Sequence, residues 1–392
     1  MNKSIAKALA DMEQHKDRWR KDIVAAREMI LANLSMIAEV PAPTFEEKDR
    51  AEFILNRFAE SGIPEPLTDE MHNVIGLVNP KTGHDRTIVI FTHMDNAFGR
   101  EIDQNIRITE NRVYGAGVAD DNLSLAVLLT LPDIFKSLAC SFKSNLILLA
   151  TTRFHGRGDS GGMRHFIATM KKQQDIDAVI DLNGTSLGTI NYLSQSRVRG
   201  DIVIDTSLAA FENPRRIPES SAIQVANQIM DQLFQIPLPR KPKTTLNIGM
   251  ISGGERYSTL SRNAELHFEA LSDDDVMMES LIEQINTMCT DIGAQYNADV
   301  QVSFFGRKKV AALTSAHPLV KASMAVIRDL GFKPQIHFAN SEVAASLSEA
   351  IPSVSIGISE GEGGSSPKSY VEIDPIMTGV LQLIMLLKLI DY

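Results

Sequence analysis

Short apolar runs alternate with helix-spaced apolar positions along the first half of the chain. Asn73 to Leu77, Thr87 to Thr92, Asn145 to Thr152 and Ala178 to Leu182 are β-branched or aliphatic runs too short for free helices, and they predict strands. Between them, Glu46 to Ser61 and Leu123 to Lys136 carry apolar residues at helical spacing. This alternation predicts an α/β fold, a mixed, mostly parallel sheet flanked by helices. From about residue 200 the order becomes strand Asp201 to Asp205, helix Ser221 to Leu233, strands Thr244 to Met250 and Ala264 to Ala270, helix Asp274 to Tyr296 and strand Asp299 to Phe305. That βαββαβ succession predicts an inserted α+β, ferredoxin-like module with an antiparallel sheet. Past Val310 the alternation resumes with helix Pro318 to Leu330, strand Ser353 to Ile358 and an apolar helix Pro375 to Leu389. The expected organisation is one discontinuous domain, residues 1–199 and 311–392, interrupted by a second, residues 200–310.

Composition removes several function classes. The 392 residues are 44% hydrophobic, and 49 acidic against 39 basic side chains give a formal net charge of -10. That balance carries no polyanion-binding footprint, so nucleic acid is not an expected partner. Cys140 and Cys289 lie too far apart in sequence to suggest a disulfide framework or a thiolate zinc cluster. The N-terminal stretch is a charged amphipathic helix rather than a signal peptide, and no apolar run reaches the roughly 18 residues of a membrane span. The expected location is the cytoplasm, away from membranes.

Candidate chemistry gathers at the ends of the expected strands, where open α/β sheets bind ligands. In Thr92-His93-Met94-Asp95 a histidine two residues before an aspartate can ligate a metal while the carboxylate orients its ring. In Gly117-Val118-Ala119-Asp120-Asp121-Asn122, adjacent carboxylates open a helix and can bind a cation, although Asp there is also a routine helix cap. The segment Thr152 to Gly162 contains GDSGG, the string of the chymotrypsin-like nucleophile loop. That fold is all-β, whereas this string leads from an aliphatic strand into helix Met163 to Lys171, and the match is read as coincidence. A nucleophile at Ser160 would in addition need a histidine and an acidic orienter beside it.

Taken in order, HMD, YGAGVADDN, ATTRFHGRGDSGGMRHF, DAVIDLNG and GGSSPKSYVEI resemble the metal-site motifs of the di-zinc exopeptidase and amidohydrolase family, which includes carboxypeptidase G, tripeptide aminopeptidase, aminoacylase and succinyl-diaminopimelate desuccinylase. The resemblance covers nearly the whole chain. It implies a zinc-exopeptidase-like fold whose inserted module is a lid and dimerisation domain, and hence a homodimer through residues 200–310. It also implies His93 and Asp120 as metal ligands and Asp95 as the residue behind His93.

The same resemblance exposes what has changed. The Glu pair that supplies general base and ligand falls on Phe154 and His155, so the base position carries a ring that cannot accept a proton. The later acidic ligand falls on Asn183, the C-terminal histidine on Ser365 and a further acidic position on Ser369. In the inserted module Ser258 and Leu271 stand where substrate-binding Asn and Arg are expected, and residues 207–213 offer no histidine. Phe154 and Ser365 are left as cleft residues. A two-metal centre is not expected; at most one zinc or other divalent ion is, on His93, Asp120 and His155, with Asn183 as a weak fourth donor.

Two readings follow. In one, the protein keeps the fold and cleft but binds a small peptide-like or acyl-amino-acid ligand without turnover. In the other, it is a mono-metal peptidase or amidohydrolase on His93, Asp120 and His155, with Asp159, Asp121 or Glu342 as base.

Overall fold

Every residue of the strand Thr87–His93 is buried, with Ile88 and Ile90 in one apolar core and Val89 and Phe91 in another. A strand covered on both faces is a continuous apolar run, and this is why its residues were readable as a strand of a helix-flanked sheet. The structure is a computed structural model that describes residues 3–78, 86–206, 220–336, 343–364 and 366–391. Among these, Thr87–His93 is the fourth strand of an eight-stranded sheet ordered Leu67–Thr68, Val74–Val78, Asn145–Thr151, Thr87–His93, Ala178–Asn183, Ser353–Gly357, Thr189–Asn191 and Gln335–Ile336. The four central strands, Asn145–Thr151 to Ser353–Gly357, run parallel. Val74–Val78 and Thr189–Asn191 join them antiparallel.

Helices Lys3–Ala25, Arg27–Ala38, Leu123–Ser137, Pro318–Asp329 and Asp374–Ile390 contribute to one core, and Gly161–Met170 to the other. Asp374–Ile390 is buried from Val380 through Leu387, as its nearly unbroken apolar sequence requires. No helix among the described residues is long and apolar enough to cross a membrane.

The chain divides into two compact units, Met1–Leu193 with Ala311–Tyr392, and Ser194–Val310. In the second unit four antiparallel strands are ordered Thr244–Gly253, Asn263–Ser272, Ser196–Asp205, Asp299–Lys308. Helices Ala222–Gln235 and Asp275–Tyr296 share a core with this sheet. Ser196–Asp205 begins five residues before the expected Asp201. The polar Ser196, Arg197 and Arg199 hide that start, yet the backbone pairs on both sides, and pairing does not require apolar side chains.

Cys289 is fully buried in this second core, and burial pushes its thiol up to about 12. The Cys140 thiol is also raised by burial, against the opposing charge of Lys388. Since the thiolate is the reactive form, Ellman's reagent at pH 8 is expected to leave Cys289 untouched in the native protein and to report both thiols after denaturation. Fast titration of both in the folded protein would contradict this placement.

Candidate metal centre

The carboxyl ends of the parallel strands bring the candidate residues together. Strand Thr87–His93 ends on His93, which is buried, and its Nδ1 lies 2.9 Å from the backbone carbonyl of Asp95. A carbonyl only accepts, so Nδ1 carries a hydrogen, and it is Nε2, on the other side of the ring, that can offer a lone pair once its own proton is lost. Nε2 lies 3.3 Å from Oδ1 of Asp120. Asp120 is held in a non-helical turn that follows Gly117, whose φ of 73° is one that glycine adopts without strain.

The third donor comes from the loop after strand Asn145–Thr151. Here the Asp95 carboxylate accepts from the backbone N–H of Phe154 (3.0 Å), the backbone N–H of His155 (3.1 Å) and the hydroxyl of Thr44 (2.7 Å). Its nearest oxygen stands 3.7 Å from His93 Nδ1. The backbone carbonyl of Asp95 therefore orients His93, while its carboxylate anchors the loop bearing His155. Glu47, buried nearby, steadies the same loop by accepting from Arg153 N–H at 2.9 Å. Its own carboxyl is pushed up by burial, against the hydrogen bonds it accepts.

As a result the ligand atoms of His93, Asp120 and His155 all lie within 4.8 Å of one another. In a tetrahedral zinc shell with bonds near 2.0–2.1 Å, neighbouring donors stand roughly 3.3 Å apart. The His93–Asp120 pair already meets that spacing, and two imidazoles with one carboxylate are a donor set suited to zinc and similar ions. Burial lowers the His93 pKa, but the hydrogen bond to Asp120 and the charges of Asp120, Asp121 and Asp95 outweigh it and raise it well above the usual value. Burial raises Asp120 in turn, and His93 more than reverses this, holding it below its usual range.

The remaining candidates lie around this group. The Phe154 ring stacks on His93 with centroids 4.3 Å apart and planes at 25°, and His155 meets both rings edge-on. Asn183 ends its strand with Oδ1 accepting from Thr185 N–H at 3.1 Å, an Asx turn. A Cβ added to Gly364 would lie 3.7 Å from Asp120 Cβ, so the C-terminal motif does reach the site. Ser365 and Glu342 lie outside the described residues, as does the stretch 207–213 of the second unit. Ser369 is buried and donates to the Gly115 carbonyl at 2.7 Å, tying that motif to the Asp120 turn.

The proposed substitutes for the base are engaged elsewhere. Asp121 is buried and accepts from Thr92 (2.8 Å), Gly184 N–H (2.9 Å) and Ser124; burial raises its pKa to about 7. Asp159 is ion-paired with Arg164. Ser160 is buried at the start of helix Gly161–Met170.

One residue was missed in the sequence. Arg50 is fully buried and donates to the carbonyls of Val40 (2.7 Å), Met94 (2.8 Å) and Ile37 (3.1 Å) and to Asn122 Oδ1 (3.0 Å). It thereby ties the turn after His93 to the residue following Asp121. The available signal was spacing, since Arg50, Ile54 and Phe58 follow at i, i+4 and i+8 on one helix face.

Replacing Asp95 by alanine is expected to weaken divalent-metal affinity by roughly 10–100-fold, the range for groups that orient ligands. The Asp95→Asn variant keeps one acceptor oxygen and is expected to lose less. Equal affinity of D95A and wild type in a zinc-chelator competition would refute this role.

Buried His93 and half-buried Asp120 and His155, gathered at the carboxyl ends of a parallel sheet, define a metallopeptidase-like α/β protein. The chain belongs to peptidase family M20/M25/M40, whose profile matches residues 89–388. Acetylornithine deacetylase of Edwardsiella ictaluri (strain 93-146) is 25% identical over 287 residues, which span 70% of this chain and 72% of that protein. The dipeptidase Dug1p of Saccharomyces cerevisiae superposes with a TM-score of 0.76 at 14% identity, covering 95% of this chain and 98% of that one. The YXEP protein of Bacillus subtilis, described as a dinuclear metal binding peptidase of the M20 family, superposes with a TM-score of 0.64 at 15% identity, over 94% and 99% of the two chains. At these identities the two structures bear on the fold alone.

Proposed function

We propose that this protein is an M20-family member that holds a single divalent cation on His93, Asp120 and His155, and binds a small acyl-amino-acid or peptide-like ligand without di-zinc hydrolysis. The observation that carries this reading is the Phe154 ring, stacked on His93 at 4.3 Å at the position where the resemblance calls for a general base. A phenyl ring accepts no proton, and the two described carboxylates considered as substitute bases, Asp121 and Asp159, are bound to other partners. A bound cation would act as a Lewis acid that draws in a ligand carbonyl or carboxylate. Loss of Glu at position 155 and His at 365 removes donors for a second ion.

Metal content by mass spectrometry, combined with turnover of N-acetyl-amino acids and dipeptides with and without added zinc or cobalt, tests the reading. One metal per chain and no turnover is the expected result. Turnover abolished by His155→Ala would establish the second reading, a mono-metal hydrolase, which the closure of three donors within 4.8 Å favours. Absence of any metal affinity would remove both.

The reading includes a homodimer through the second unit and a cytoplasmic location, the latter supported by two cysteines that are both free. In that unit Thr244–Gly253 is an outer strand carrying exposed Met250 and Ile251, and helix Ala222–Gln235 exposes Ile223 and Phe234. An apolar outer strand of this length invites pairing. Light scattering is expected to give twice the 43.2 kDa chain mass, and a Met250→Glu, Ile251→Glu double variant to give monomers. Wild-type monomers at micromolar concentration would sink the dimer.

A further inference from the structure

A cavity of about 740 Å³ lies at the opposite end of the central strands from the metal centre. Arg86, Ala178 and Pro352 border it, each at or just before the first residue of a parallel strand, whereas His93 ends the same strand that follows Arg86. Seven strand residues at about 3.3 Å each set the two places roughly 20 Å apart. The volume falls within the roughly 300–1,000 Å³ of small-molecule sites.

Its walls are apolar. Ile5 and the short Ala8 of the first helix line it with Leu319, Leu389 and Ile390. The charged groups on its border are unequal in sign. Asp177 is offset by Arg86 at 3.5 Å and accepts from Thr87 N–H at 2.7 Å. This leaves Lys321 and Lys388 in excess, on a chain whose net charge is -10. Lys388 donates to the Ser141 carbonyl at 2.7 Å, and among the described residues no ion pair includes Lys321. His317, also on the border, is held below its usual pKa by burial and adds no charge at neutral pH.

We propose that this cavity binds a medium-chain fatty acid or comparable acyl carboxylate, with the tail against Ile5, Leu319 and Leu389 and the carboxylate toward Lys321. This is a second site, separate from the metal centre and independent of whether that centre turns over substrate. An apolar wall selects the tail by length, and the Lys321 ammonium selects an anionic head over a cationic one.

Calorimetric titration of the full-length metal-loaded protein with hexanoate, octanoate, decanoate and octylamine tests it. One carboxylate per chain is expected, with affinity rising about two- to fourfold per methylene and no binding of octylamine. Lys321→Glu, an exposed substitution that spares the core, is expected to weaken octanoate at least tenfold. Ala8→Trp is expected to fill the cavity and abolish binding while thermal melting and metal content stay as in wild type. His155→Ala is expected to leave octanoate binding unchanged. Absence of binding, equal binding of octylamine, full affinity in Lys321→Glu, or loss of binding in His155→Ala would each overturn the proposal, the last by placing the carboxylate on the metal centre.

Discussion

Arg50→Leu is expected to destabilise the protein by about 3–5 kcal/mol, the scale for removing one member of a buried polar network. The cost comes from what the substitution leaves behind. Three backbone carbonyls, of Val40, Met94 and Ile37, and Asn122 Oδ1 lose their donor inside the core. Each buried acceptor left unmade costs about 1–3 kcal/mol, partly offset by no longer burying a charge. Burial already draws the guanidinium down to about 10, yet it remains cationic at neutral pH. Arg50→Lys is expected to recover only part of the loss, because one ammonium cannot span four acceptors that a planar fork reaches. Urea unfolding of the three proteins measures this; equal midpoints for Arg50→Leu and wild type would show that the network contributes nothing. Because Met94 follows His93 and Asn122 follows Asp121, metal affinity is expected to fall along with stability.

His155→Ala is expected to lower divalent-metal affinity by at least about 100-fold, more than the loss of an orienting group, since it removes a donor itself. Phe154→Ala, which keeps all three donors, is expected to change affinity far less, and a competition titration with a chromophoric chelator separates the two. Equal affinities of H155A and wild type would remove His155 from the shell. Metal uptake is also expected to release a proton near neutral pH. His93 is held protonated by Asp120 before metal binds, and a ligating imidazole must be neutral. The observed binding heat should then vary with the ionisation enthalpy of the buffer. The same pair predicts the pH dependence of metal-free stability. The raised His93 pKa contributes stability that is full below its unfolded value near 6.5 and is lost as pH rises through the folded value. The lowered Asp120 pKa contributes above its unfolded value near 3.8 and is lost as pH falls through the folded value.

Much of this was legible in the sequence, for identifiable reasons. Ile88 to Phe91 and Leu146 to Ala150 are apolar throughout because both faces of a central parallel strand are covered. His93 and Asp120 could be found because they stand in ordered motifs, and Phe154 because the resemblance calls for a proton acceptor where a phenyl ring stands. Arg50 was hidden because an arginine in a helix ordinarily faces water, and its spacing with Ile54 and Phe58 was the only hint. The role of the Asp95 carboxylate was likewise hidden, since its partners, Thr44 and the N–H groups of Phe154 and His155, belong to segments distant in the chain.

The sequence by itself thus determined the layered α/β architecture, the inserted antiparallel module and the chemical types available at each strand end, because periodicity and composition are local properties. Only the tertiary structure decided that His155 meets His93 and Asp120 within one donor group, that Asn183 turns to Thr185, and that Asp121 is occupied by Thr92, Ser124 and Gly184. Those outcomes depend on strand register and on the hydrogen bonds that aim each loop. Register and aim are set by pairing between segments far apart in the chain, which no local pattern encodes.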